Sequence, residues 1–185
     1  MTESPSPAHV VAVARDDAHR FSKPTRDVIT LIAGYGVEGD AHAGATVQHL
    51  SRVRRDPATP NLRQVHLIHS ELFDQMAERG HGIEPGGLGE NITTVGVDLL
   101  GLPRGTRLQI GDDAVVEITG LRNPCTQING LSKGLMKELV YVDDDGDTVR
   151  LTGVMSVVLS GGEVRPGDGI RVIPPLGAHE PLPVV

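Results

Sequence analysis

Apolar residues in this chain cluster in short runs rather than in long helical stretches. HVVAVA at His9–Ala14 and VITLI at 28–32 are rich in β-branched residues, which pack well on a pleated surface and so predict strands of a largely buried sheet. Comparable runs recur at 64–68, 91–95, Arg107–Ile110, 114–119, 153–159 and Ile170–Ile173, most of them separated by glycine-bearing turns. Two stretches follow helical spacing instead. Residues 70–79 open on Ser70 and stop before Gly80, and in 131–140 the leucines Leu131, Leu135 and Leu139 recur every fourth position. Many short strands with few helices between them argue against a doubly wound parallel sheet. They predict a mainly β fold with a few helices, arranged as a barrel-like curled sheet.

Composition narrows the function classes. A length of 185 residues, 38% hydrophobic and 22% charged, fits one soluble globular domain over 1–185, with a core at about 28–173 and flexible ends at 2–7 and 174–185. Aromatic residues make up 2% of the chain, there is no Trp, and the formal net charge is −7. Stacking platforms and clustered positive charge are what nucleic-acid binding needs, so that class is excluded. The basic run Arg52, Arg54 and Arg55 remains as a local patch, read either as a solvated face or as a contact for an anion. No apolar stretch is long enough to span a bilayer, and the N-terminus lacks the order of a secretory signal. A single cysteine requires no oxidative folding, so the expected location is cytoplasmic.

That cysteine, Cys125, is the first candidate for chemistry. Pro124 suits the first position of a helix, which would set Cys125 in the opening turn beside unpaired amides, with Arg122 and Lys133 nearby. Such surroundings favour the thiolate, which serves sulfur transfer or ligation of a thiophilic metal. The plainer reading is a small core residue. Asp40 and His42 stand two apart, on one side of an extended segment, and can share a proton as base and orienter; an Asx turn with an exposed histidine is the alternative. His66 and His69 add little, and no zinc spacing occurs. Gly86-Gly87-Leu88-Gly89-Glu90-Asn91 offers a backbone that a ligand can approach, with Glu90 and Asn91 orienting it, or a tight turn whose amides those side chains satisfy.

Gly34-Tyr35-Gly36-Val37-Glu38-Gly39 matches a dinucleotide fingerprint in spacing, but no amphipathic helix begins within it, so the phosphate-binding helix start is missing. Asp143-Asp144-Asp145-Gly146-Asp147 reads as an acidic turn, because a calcium loop would need flanking helices and a glutamate at its twelfth position. Residues 53–61, with two prolines and no apolar period, are the expected mobile loop and lid.

Taken in order, Gly36-Val37-Glu38-Gly39-Asp40-Ala41-His42-Ala43-Gly44, Arg63-Gln64-Val65, Gly89-Glu90-Asn91-Ile92, Ile118-Thr119-Gly120-Leu121-Arg122-Asn123-Pro124-Cys125 and Gly162-Glu163-Val164-Arg165-Pro166-Gly167-Asp168 strongly resemble the MOSC family, named for the C-terminal domain of molybdenum cofactor sulfurase. The likeness extends from about Val28 to Val172 and is that of a free-standing bacterial member. Ala41 departs from it, since many relatives carry a basic residue between the Asp and the His.

The resemblance implies a β-barrel of MOSC type and a cysteine that carries sulfur or ligates molybdenum. Matched position by position, Cys125, Asp40 and His42 become catalytic candidates, and Cys125 the molybdenum ligand. Arg122, Glu90, Asn91, Gly89 and Gln127 become contacts for the molybdenum cofactor, a molybdopterin expected to be lost on purification. Two activities follow as expectations: reduction of N-hydroxylated substrates with electrons from a separate reductase, or carriage of sulfur as a Cys125 persulfide supplied by a cysteine desulfurase. A metal-assisted hydrolase built on Asp40, His42 and His66 ranks behind both. No nucleic acid or membrane partner is expected.

Overall fold

The computed structural model describes residues 7–48 and 50–185; the expected frayed start of the chain lies almost wholly outside them. The elements in chain order are β1 (His9–Ala14), β2 (Thr25–Arg26), β3 (Ile29–Ile32), β4 (Gly36–Val37), α1 (Leu50–Val53), β5 (Val65–His69), α2 (Glu71–Glu78), β6 (Ile92–Val95), β7 (Arg107–Ile110), β8 (Ala114–Leu121), α3 (Leu135–Leu139), β9 (Val140–Val142), β10 (Thr148–Arg150), β11 (Val154–Ser160), β12 (Gly162–Val164) and β13 (Ile170–Ile173). Every run read as a strand is one, within a residue or two at its ends. Ser70 and Arg79 flank α2 as caps. The second helical stretch is only partly helical: α3 buries Leu135 and Leu139, whereas Leu131 is exposed.

The main sheet runs β13-β7-β8-β11-β5-β6-β1-β2. All its pairs are antiparallel except β5–β6, which are parallel and joined through α2, as a parallel pair needs a crossover connection. A second sheet, β12-β3-β4, and the hairpin β9–β10 complete the fold. The mainly β expectation holds, but the main sheet is not a closed barrel. Its edges are β13 and β2, and β1 meets the residues before β13 through one isolated bridge, His9 to Gly169, with Val10 N donating to Asp168 O and Ile170 N to Ala8 O. The reason is local: the chain turns at Pro166-Gly167, with Asp168 N donating to Arg165 O just before the bridge, so no ladder extends along β1.

Pleating assigns the two faces of the sheet. Val13, Ile92, Leu67 and Val154 lie opposite one another across β1, β6, β5 and β11 and all belong to the main apolar core with Ile29, Leu31, Leu108, Ile110, Val116 and Ile118. Their immediate neighbours Asn91, His66 and Met155 must therefore project from the opposite face. A smaller apolar cluster of Ile68, Leu72, Met76, Leu88, Ile128, Leu135 and Leu139 packs α2 and α3 on that same side. Among the described residues no helix is long and apolar enough to cross a membrane.

Candidate functional site

A cleft enclosing about 200 Å³ opens on the face that carries Asn91, His66 and Met155. Four other segments wall it: the loop between β1 and β2, the 42–52 region, residues 61 and 63 before β5, and residues 122–127 after β8. Arg20, Lys23, Arg52, Arg63 and Arg122 line it, and among the described lining residues there is no Asp or Glu. In a chain of net charge −7 this is a concentrated positive site within an acidic protein, which focuses its field on anions.

Two of those cations are neutralised locally. Arg20 clasps Asp16 through Nε and Nη2 at 2.6 and 2.7 Å. Lys23 Nζ lies 2.8 Å from Asp40 Oδ2 and 3.0 Å from Oδ1, with both side chains buried. Arg52, Arg63 and Arg122 have no carboxylate within ion-pair distance among the described residues. Arg122 is 8% exposed, its Nη1 has no hydrogen-bond partner, and its guanidinium rests 5.6 Å from the Phe21 ring centroid. Burial lowers its pKa, while Cys125 and Glu90 act to raise it. Burial, reinforced by the charges of Arg52 and Arg122, brings Arg63 down to about 10. A buried guanidinium with an unsatisfied Nη1 is costly to maintain.

Cys125 lies at this wall with its side chain exposed, and its thiol donates to Gln127 Oε1 at 3.3 Å. The helix start expected around it is a single 3₁₀ turn, Thr126–Gly130, which Cys125 precedes in extended conformation. Gly130, Gly134 and the serine between them interrupt the helix before it lengthens. Positive charge around the sulfur therefore comes from the arginine side chains and not from a helix terminus. Lys133 is exposed and outside the cleft.

Asp40 is the hub beneath the cleft. Its carboxylate accepts from Lys23 Nζ, from Asn91 Nδ2 at 3.1 Å, and from the amides of Asp16 and His42 at 3.3 and 3.0 Å, with His42 Nδ1 at 3.4 Å. Burial alone would raise its pKa, but the hydrogen bonds from His42 and the Lys23 charge outweigh this and hold it below the usual carboxylate range. The Asx turn and the Asp–His pairing read from the sequence are both present here. His42, half-buried in the cleft wall, packs edge-on against His19 with ring centroids 5.2 Å apart.

Glu90 has a different place from Asn91. It is fully buried, accepting from the amides of Gly86 and Leu88 at 2.6 and 3.1 Å and from Thr93 Oγ1 at 3.1 Å, and it does not line the cleft. Its carboxylate organises the glycine turn from below, so the cleft-facing contribution of this motif comes from Gly89 and Asn91. Both Gly86 and Gly89 have positive φ, and a Cβ on either would meet the backbone carbonyl of Lys23 or of Phe21. The close approach these glycines permit is to the β1–β2 loop, which is thereby pressed into the cleft wall.

His66 is buried with Nε2 2.7 Å from Thr152 O. A carbonyl only accepts, so Nε2 carries the proton, and burial lowers the pKa well below its ordinary value, leaving a neutral ring. His69 lies outside the cleft lining, as do Arg54 and Arg55 of the basic run; Arg52 alone of the three faces it. Among the described residues no group of three His, Cys, Asp or Glu side chains is placed to hold a metal ion, and the Asp40 carboxylate is already engaged by Lys23 and Asn91. The acidic 143–147 segment is the β9–β10 turn, with Asp143 Oδ1 accepting from the amides of Asp145 and Asp147. Sequence reasoning missed Lys23, His19, Phe21 and Asn61. Asn61 donates to His42 O and Gly44 O and braces the 42–44 segment; its position just before the Arg63 motif was the one available signal.

The family model described as MOSC domain matches residues 41–171. The structure is similar to the YUAD protein from Bacillus subtilis, with a TM-score of 0.70 at 22% identity over 91% of this chain and 97% of that one. It is also similar to YiiM from Geobacillus stearothermophilus, TM-score 0.63 at 17% identity over 94% and 80% of the two chains, and to YiiM from Escherichia coli, TM-score 0.58 at 17% identity over 96% and 73%. No curated protein sequence matches the chain.

Proposed function

The chain belongs to the MOSC domain family, and on that premise we propose that its cleft binds the molybdenum cofactor, with Cys125 as the protein ligand to molybdenum. The observation that carries this reading is the orphaned, buried Arg122 in a cleft that holds Arg52 and Arg63 and no described carboxylate. A pterin phosphate supplies the missing anion, and guanidinium groups take phosphate by charge-assisted hydrogen bonds. The donor set fits: arginines for phosphate, the amides of Asn91 and Gln127 for a pterin edge, and an exposed thiol as a soft ligand. At about 200 Å³ the cleft is smaller than the roughly 300–1,000 Å³ typical of ligand pockets, so part of such a ligand would stay at the open mouth.

When bound, the cofactor would supply two-electron chemistry suited to reducing an N-hydroxylated substrate. The chain's own contributions are positional. Arg63 and Arg122 hold the anionic end, and Asp40 fixes Lys23, Asn91 and the His42 ring. Phe21 and Met155 add apolar surface to the wall. A separate reductase would deliver electrons to a cytoplasmic protein. We also take the His9–Gly169 bridge as the point at which the main sheet curls toward barrel-like closure.

The test is elemental analysis of protein made in a host that synthesises the cofactor. Stoichiometric molybdenum in the wild type and its loss in Cys125→Ser are expected; metal-free wild-type protein under those conditions overturns the reading. The exposure of Cys125 supports a second reading, a sulfur carrier. A mass gain of one sulfur atom on Cys125 after incubation with a cysteine desulfurase, without N-hydroxyl reduction, selects it.

A further inference from the structure

We propose that Cys125 is a charge-selective thiol, modified by low-molecular-weight disulfides that carry carboxylates in preference to neutral or cationic ones. The inference rests on the cleft's charge and not on the cofactor. Cys125 is exposed and reachable, and the wall it shares carries Arg52, Arg63 and Arg122 without a described carboxylate partner. Arg122 brings the second, independent sign of a ligand, a buried Nη1 that no described residue satisfies. An approaching disulfide with carboxylates meets two guanidinium groups beside the reacting sulfur, and its carboxylate replaces the counter-anion they lack.

The step is an exchange. The Cys125 thiol loses its proton to solvent, and the thiolate attacks one sulfur of the disulfide. A Cys125–S bond forms, the disulfide's own S–S bond breaks, and the departing thiolate takes the electron pair. The sulfur of Cys125 is oxidised to the disulfide level and one equivalent of the small thiol is released reduced. The product leaves an anionic adduct seated on the arginines and the cleft obstructed, a state a reducing thiol reverses.

Cofactor-free protein, made in a host that cannot synthesise the pterin, tests this with three reagents: dianionic 5,5′-dithiobis(2-nitrobenzoate), neutral 4,4′-dithiodipyridine and dicationic cystamine. Second-order rates are followed by chromophore release for the first two and by intact mass for the third. We expect the dianion rate to fall about tenfold or more between low and high salt while the neutral rate stays nearly constant and the dication rate rises. Arg63→Gln should slow the dianion about fivefold at low salt and leave the neutral reagent within a factor of about two. Arg104→Gln, the same charge change at an exposed residue outside the cleft, should alter neither. A dianion rate insensitive to salt, or reduced equally by Arg63→Gln and Arg104→Gln, overturns the proposal. The wild-type salt dependence decides the matter even where Arg63→Gln fails to fold.

Discussion

Asn91 Nδ2 donates to Asp40 Oδ2 at 3.1 Å across 51 residues of sequence, and through that bond two motifs become one support. Asn91 also accepts from the His66 amide through Oδ1 at 3.1 Å and donates to Ala14 O at 3.2 Å. One carboxamide thus ties the turn before β6 to β5, to the end of β1 and to the Asp40–Lys23 pair.

The Asp40–Lys23 pair gives the first prediction. Asp40→Asn leaves the buried Lys23 ammonium without its counter-charge, and we expect a loss of about 3–5 kcal/mol in unfolding free energy. Adding Lys23→Met should restore most of it. Urea titrations of the single and double variants measure both. The depressed Asp40 pKa makes this contribution fully present above about pH 4, and it is lost as pH falls toward the folded value.

The neutral His66 predicts a separate window. Below its ordinary value near 6.5 the unfolded chain takes up a proton that the buried ring refuses, so stability is present above that pH and lost as pH falls. The slope from this group is about 1.4 kcal/mol per pH unit. His66→Gln should flatten the stability profile between pH 7 and 5 by about one proton, measured by thermal unfolding at constant ionic strength.

Arg122 trades stability for binding. Arg122→Met gives up the guanidinium contact with the Phe21 ring but deletes a buried charge with no ion-pair partner among the described residues, so unliganded protein should gain about 1–3 kcal/mol. Phosphate should raise the melting temperature of the wild type and leave that of the variant unchanged. A variant that is destabilised and still responds to phosphate would contradict the role given to this residue.

Gly89→Ala must either accept a positive φ or push the Phe21 carbonyl aside. We expect about 2–4 kcal/mol of destabilisation and a loss of the phosphate response, because the displaced loop carries Phe21 and Lys23. Gly130→Ala, at a position with open space around it, is the matched control.

The strands that were legible in the sequence are those with enough residues for composition to speak, such as β1, β7 and β13. β2, β4, β9, β10 and β12 have two or three residues each and show no period; hydrogen bonds to distant neighbours define them. Among site residues, Cys125, Arg122, Asn91, Asp40 and His42 stood out because each sits in a local motif. Lys23 did not, since Ser22-Lys23-Pro24 looks like any surface loop until the Gly86 and Gly89 turn folds over it. Glu90 could be read from its neighbours as a ligand contact or a turn brace, and only the third dimension separates the two. The helix expected at Cys125 failed because Pro124 marks a start without saying how far the helix will run.

Because His66, Asn91 and Met155 are the reverse side of Leu67, Ile92 and Val154, the interior and the cleft floor share one set of backbone positions. Shifting any of these strands by a single residue would turn greasy side chains into the cleft and drop a histidine or an asparagine into the oil. A chain that misaligns here therefore loses its cleft and its reason to stay folded in the same event, and stable forms with a misbuilt cleft have nowhere to accumulate.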